Sequence, residues 1–223
     1  MAHTLTWNLR TQLVAELAGF GLLAAVYLLA FPQRPRYLDL VLAGLAVAGI
    51  VATLPRSRAV WQRQPAAPLG PAAQRRAAWR SMGLFTAVAA LALLAAAAWL
   101  SPSLRGPLGW LERVGNWHVL VAIALYLPWA LLQQLVFLVY LLGRLLYLLP
   151  TGPAVALTAA AFSAVHFPRY PVMAVTAVAG VFWALNYRGY RTLAPIVLSH
   201  AVLGSLLHYW VFGRDLLRQW LGG

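Results

Sequence analysis

Long apolar runs, separated by short clusters of arginine, proline and glycine, pattern almost the whole chain. They fall near 11–31, 37–54, 82–101, 117–149, 153–167, 171–187 and 192–212. A helix needs about 20 residues to cross a bilayer. Continuous apolar blocks predict such helices, whereas barrel strands would alternate over shorter segments. The pattern therefore predicts an all-α polytopic transmembrane helix bundle of about seven spans, with a range of six to eight. Residues 1–223 are read as a single membrane domain. The 117–149 block is long, and Pro128 is placed to kink or split it. The 153–167 block is short, which implies a tilted, extended or partly re-entrant helix. The first block is too long and too late for a cleaved signal, so it is expected to stay as an anchor.

Residues 55–80, "PRSRAVWQRQPAAPLGPAAQRRAAWR", depart from this pattern. They hold six arginines and four prolines. The positive-inside rule makes them a cytoplasmic basic loop. Alternation from there gives a cytoplasmic N-terminus, with Arg144, Arg188 and Arg191 on that side too. A surface helix beginning within 74–80 is the other reading of the loop's end.

Composition sharpens the picture. The chain is 62% hydrophobic and 9% charged, with mean hydropathy +0.74. Soluble domains carry roughly a quarter charged residues. All 17 basic residues are arginine, and the net charge is +13. In a soluble protein this would suggest nucleic acid. Between apolar blocks the arginines instead mark topology and contacts with lipid headgroups. The lipid bilayer is the expected partner, and nucleic acid is not. Cysteine is absent, which removes disulfides, thiolate metal sites and a cysteine nucleophile. Trp110, Trp117, Tyr209, Trp210 and Trp220 stand at expected span ends and read as an aromatic belt.

Polar groups at membrane depth are the candidates for chemistry. Gln133 and Gln134 sit mid-block in "LPWALLQQLVF". His166 ends "AAAFSAVH", and His200 lies within "LAPIVLSHAVLG". Singly, each reads as a hydrogen bond across the bundle. Together, two amides on one helix and a histidine on each of two others can converge on one site. His208 is read as interfacial. Asn186 and Arg188 lie near a span end, within reach of the headgroups. His3 and His118 receive no role. Only four acids exist, and Glu16 alone lies inside an expected span. Asp39 and Glu112 lie near span ends, and Asp215 is in the tail.

The order and spacing of these groups resemble the CPBP family, the ABI or CAAX-protease-like intramembrane endopeptidases. That family carries EExxxR on one span, FxxxH on the next and HxxxN on the last core span. Phe162-Ser-Ala-Val-His166 keeps the second motif intact. "YRGYRTLAPIVLSH" is similar to the turn and helix that lead to the third, with His200 in place. "LPWALLQQLVF" looks like the segment carrying the two glutamates. The resemblance implies a CPBP-like core over 117–212 with Gln133, Gln134, His166 and His200 on one internal cavity. Phe162, Leu138 and Gly204 would line that cavity. Gln133 and Gln134 stand where the family has glutamates, Leu138 where it has arginine, and Gly204 where it has asparagine.

The resemblance implies intramembrane peptide hydrolysis, in which a glutamate activates water. A glutamine amide keeps the shape of that group and can orient water, but it accepts no proton at neutral pH. Loss of a general base costs about 10²–10⁴ in rate. Leucine at 138 is consistent with neutral amides nearby and favours natural divergence over two isolated Glu→Gln changes. No cofactor is expected. Two histidines without a carboxylate or thiolate are a poor zinc site. The chain is thus expected to be a CPBP-like protein with weakened or lost peptidase activity, in a bacterial inner membrane. Its former active-site cavity would bind a hydrophobic peptide, a lipid or a membrane-protein partner. The alternatives are an active endopeptidase using His166 and His200 with glutamine-positioned water, or a transporter-like or structural bundle.

Overall fold

The computed structural model describes residues 2–29, 36–65, 68–100, 109, 112–215 and 217–218. Trp110, Trp220 and the Asp39 side chain lie outside them. Apolar blocks become helices because no water competes for the backbone in hydrocarbon, so each amide must pair within its own segment. The helices are α1 (Ala2–Leu29), α2 (Arg36–Ala52), α3 (Leu54–Gln62), α4 (Pro71–Leu100) and α5 (His118–Gln134). A π-helical segment, Leu135–Leu142, continues α5 into α6 (Gly143–Leu148). Then come α7 (Thr151–Ala164), α8 (Tyr170–Tyr190), α9 (Ala194–Leu206) and a second π-helical segment, Leu207–Val211. Among the described residues there is no strand.

Five of these stretches are long and apolar enough to cross a bilayer: Asn8–Leu29, Pro71–Leu100, His118–Leu148, Tyr170–Tyr190 and Ala194–Val211. A sixth arises if Leu40–Ala52 and Leu54–Gln62 count as one span bent by 59°. The seventh expected block is the 14-residue helix α7, short of the roughly 20 residues a crossing needs. Pro128 sits inside α5 without ending it. The regular hydrogen-bond ladder instead gives way seven residues later, at Leu135. The loop expected at 55–80 is also corrected: α3 and the start of α4 take most of it. Pro55 suits the first turn of α3 because its missing N–H would have no partner there.

The chain gathers into two compact units. The first comprises Met1–Ala66 and Leu132–Gly189. The second comprises Ala67–Leu131 and Tyr190–Gly223.

In the first unit, α3 packs against α6, and α7 packs against the Leu135–Leu142 segment. The Trp61 indole Nε1–H donates to the Val139 carbonyl at 2.8 Å. It thereby supplies a partner inside the π-helical stretch, where the α-helical pattern is broken. Gly143 makes this approach possible. A Cβ there would meet Trp61 Nε1 at 2.9 Å.

In the second unit, α4 packs along α9 and the segment after it. Val119, Ala122, Leu206 and Tyr209 form one buried apolar cluster, and Ala130, Val197 and Ala201 form another. The Thr86 hydroxyl donates to the Met82 carbonyl at 2.7 Å and lies 2.8 Å from the Ser199 hydroxyl, which can donate to it. Such hydroxyls tie helices together where apolar contact alone gives little preference over lipid.

Candidate functional site

The first unit holds Gln133, Gln134, Leu138, Phe162 and His166. Adjacent residues on a helix point about 100° apart, so the two amides have different surroundings. Gln134 is 1% exposed, while Gln133 is half-buried. Leu138, one turn on, is 2% exposed. Position 138 is therefore closed to its surroundings and holds an uncharged side chain.

Phe162 organises the next helix. It is buried, and its ring lies edge-on to Phe137 at 5.2 Å, to His166 at 5.2 Å and to Trp183 at 5.5 Å. His166 is half-buried at the end of α7. Its Nδ1–H donates to the Phe162 carbonyl at 2.9 Å. That bond fixes the ring and leaves Nε2 as the nitrogen able to accept a proton. Phe162, on α7, and His166, in the turn just past it, are thus held together by this bond and by their ring contact.

The second unit holds His200 and Gly204. His200 is 4% exposed and lies edge-on to Tyr126 at 5.6 Å. The same Tyr126 ring occupies the space beside Gly204: a Cβ built there would stand 3.0 Å from Tyr126 Cε1. A side chain at position 204 would crowd this ring, which would have to give way. Tyr126, which sequence reading missed, lies seven residues before Gln133, about two turns along the same helix. That spacing was the available signal.

Sequence reading missed a second group, also in the first unit. Arg144 was assigned to topology, but it is fully buried. It is ion-paired with Glu16 on α1. Its Nη1 also lies 3.1 Å from Ser57 Oγ and 3.0 Å from the Tyr140 carbonyl. Its guanidinium carbon stands 3.6 Å from the centre of the Tyr140 ring. Arg56 pairs with the other Glu16 oxygen. The signal was an arginine inside a leucine run together with one mid-span acid. Isolated buried charges are so costly that each had to find a partner.

Three smaller assignments change. Asn186 is buried rather than reaching the headgroups. Tyr209 is buried rather than part of an aromatic belt, and its hydroxyl donates to Asp215 at 2.8 Å. His118 has a partner, since its Nδ1–H donates to Asp215 at 2.7 Å. Burial raises the Asp215 carboxyl pKa, but donors from His118, the Arg218 backbone and Tyr209 outweigh it and hold it at about 2. His208, half-buried, donates from Nδ1 to the Gly204 carbonyl at 2.8 Å. Among the described residues, no three His, Asp or Glu side chains gather as a metal-ligand set.

Comparison with known proteins gives one match. Residues 115–206 match the family described as type II CAAX prenyl endopeptidase Rce1-like. No curated protein and no solved structure matches the chain. The matched segment, about two fifths of the sequence, contains every motif position described above. With its apolar helices, the chain is an integral membrane protein that carries, over residues 115–206, a domain of the type II CAAX prenyl endopeptidase Rce1-like (CPBP) family.

Proposed function

We propose that this protein keeps the family scaffold with weakened or lost peptidase activity. In this reading the former active-site cavity binds a hydrophobic peptide, a lipid or a membrane-protein partner. The observation that carries the reading is the neutrality of the first motif. Gln134 and Leu138, one turn apart, are both buried. No carboxylate is present at these positions to take a proton from water. Two further observations support it. Glu16, the acid on α1, is engaged by Arg56 and Arg144. The space beside Gly204 is filled by Tyr126. The arginine excess on one side supports a cytoplasmic N-terminus.

One observation favours the alternative, an active endopeptidase. The Nδ1–H bond of His166 leaves Nε2 as a base, and a glutamine could orient water toward it. The test is cleavage of a hydrophobic and prenylated peptide library by purified protein in detergent, beside His166→Ala. The expected result is no cleavage above background by either protein. Cleavage that disappears in His166→Ala would overturn the proposal.

A further inference from the structure

Helix α4 has 30 residues, about 45 Å of helix at 1.5 Å per residue. About 20 residues suffice to cross the hydrocarbon, so roughly a third of α4 stands outside it. The apolar run begins near Met82, and the surplus is the segment before it. Within that segment Ala72, Arg75, Arg76, Trp79 and Arg80 line one shallow depression. Their spacing of three, four, seven and eight residues from Ala72 is that of a single helix face. Arg75, Arg76, Trp79 and Arg80 are all exposed.

Among the described residues, these guanidiniums form no ion pair with a carboxylate. The chain has four acids. Glu16 is engaged by Arg56 and Arg144, and Asp215 by His118 and Arg218. Among the described residues no carboxylate pairs with Arg75, Arg76 or Arg80. Like charges four residues apart on a helix repel one another unless something neutralises them. At the level where α4 leaves the hydrocarbon, the available anions are phospholipid headgroups. A guanidinium offers forked donors that fit phosphate oxygens. An indole at that depth places its apolar ring toward the acyl chains and its N–H toward the headgroups.

We propose that the Arg75–Arg76–Trp79–Arg80 face of α4 is a binding site for the headgroup phosphate of an anionic phospholipid. The bilayer supplies this ligand, because the helix carries the cluster directly out of its membrane-crossing run. The site is independent of whether the family chemistry survives.

The test is lipid titration of the detergent-purified full chain, read by intact-protein mass spectrometry. Phosphatidylglycerol should bind at least tenfold more tightly than phosphatidylcholine, and more weakly as salt rises. The R75Q/R76Q/R80Q variant should lose roughly a hundredfold in affinity. These side chains are exposed, so the variant should fold. R75K/R76K/R80K should retain binding to within about tenfold, because it keeps the charge. R10Q/R58Q/R169Q removes the same charge from exposed positions elsewhere and should change affinity by less than about threefold. Any of four results would overturn the proposal: unchanged affinity in the cluster variant, equal losses in the two glutamine variants, equal binding of phosphatidylcholine, or displacement of the lipid by soluble glycerol phosphate.

Discussion

The span His118–Leu148 carries two polar stations that solve the same problem in opposite ways. At Gln133, Gln134 and Leu138 the charges of the family motif are replaced by amides and a leucine. Ten residues after Gln134, Arg144 is fully buried and keeps its charge, matched by Glu16 on α1. A general drift toward apolar residues would have emptied both stations. The chain therefore tolerates buried charge in this unit where a counter-charge is in reach. The neutrality at Gln133, Gln134 and Leu138 is therefore local.

The largest expected effect breaks the charged station. Glu16→Ala leaves the buried Arg144 without its carboxylate and should cost about 3–5 kcal/mol, as for other broken buried pairs. Arg56 is 39% exposed, so Arg56→Gln should cost under about 1 kcal/mol. Reversible unfolding in detergent measures both. Equal losses would mean that burial does not distinguish the two arginines.

The converse experiment charges the neutral station. Gln134→Glu puts a carboxyl into a closed site with Leu138 beside it. An unpaired buried carboxylate should cost about 2–3 kcal/mol, and adding Leu138→Arg should recover part of it. A loss that Leu138→Arg leaves unchanged would show that sterics rather than charge decides the site.

A third change concerns the second unit. Gly204→Asn should destabilise by about 1–3 kcal/mol by crowding the Tyr126 ring. Shrinking that ring with Tyr126→Ser should make the asparagine better tolerated. A double-mutant cycle reads the coupling, and additive losses would separate the two positions.

The smallest effect is at the chain's tail. The Asp215 pKa lies below its ordinary 3.8, at about 2. Its contribution to stability is therefore present above about pH 4 and lost as pH falls through about 2. The difference in melting temperature between wild type and Asp215→Asn should vanish over that window.

Much of this was legible in the sequence. Apolar run length reveals helices because backbone pairing in hydrocarbon depends on length and composition alone. The pairing of Phe162 with His166 was legible too, since a four-residue spacing lets the histidine Nδ1–H reach back to the Phe162 carbonyl. The pairing of Arg144 with Glu16 was not read, because 128 residues separate them and only packing brings them together. The role of Tyr126 was hidden for a related reason: a glycine in a sequence does not say what fills the space beside it. Residues 55–80 misled because arginine and proline suggest a loop. Proline is nevertheless welcome in a first helical turn, and arginine is a good helix former. The π-helical segment was illegible because periodicity analysis assumes a constant 3.6-residue turn.

The Tyr126 ring beside Gly204 also ties two distant positions into one unit of change. A Cβ at 204 would stand 3.0 Å from the ring's Cε1, so a side chain there needs the ring to give way. What residue 204 can become is therefore set partly by residue 126, and the two positions vary freely only together.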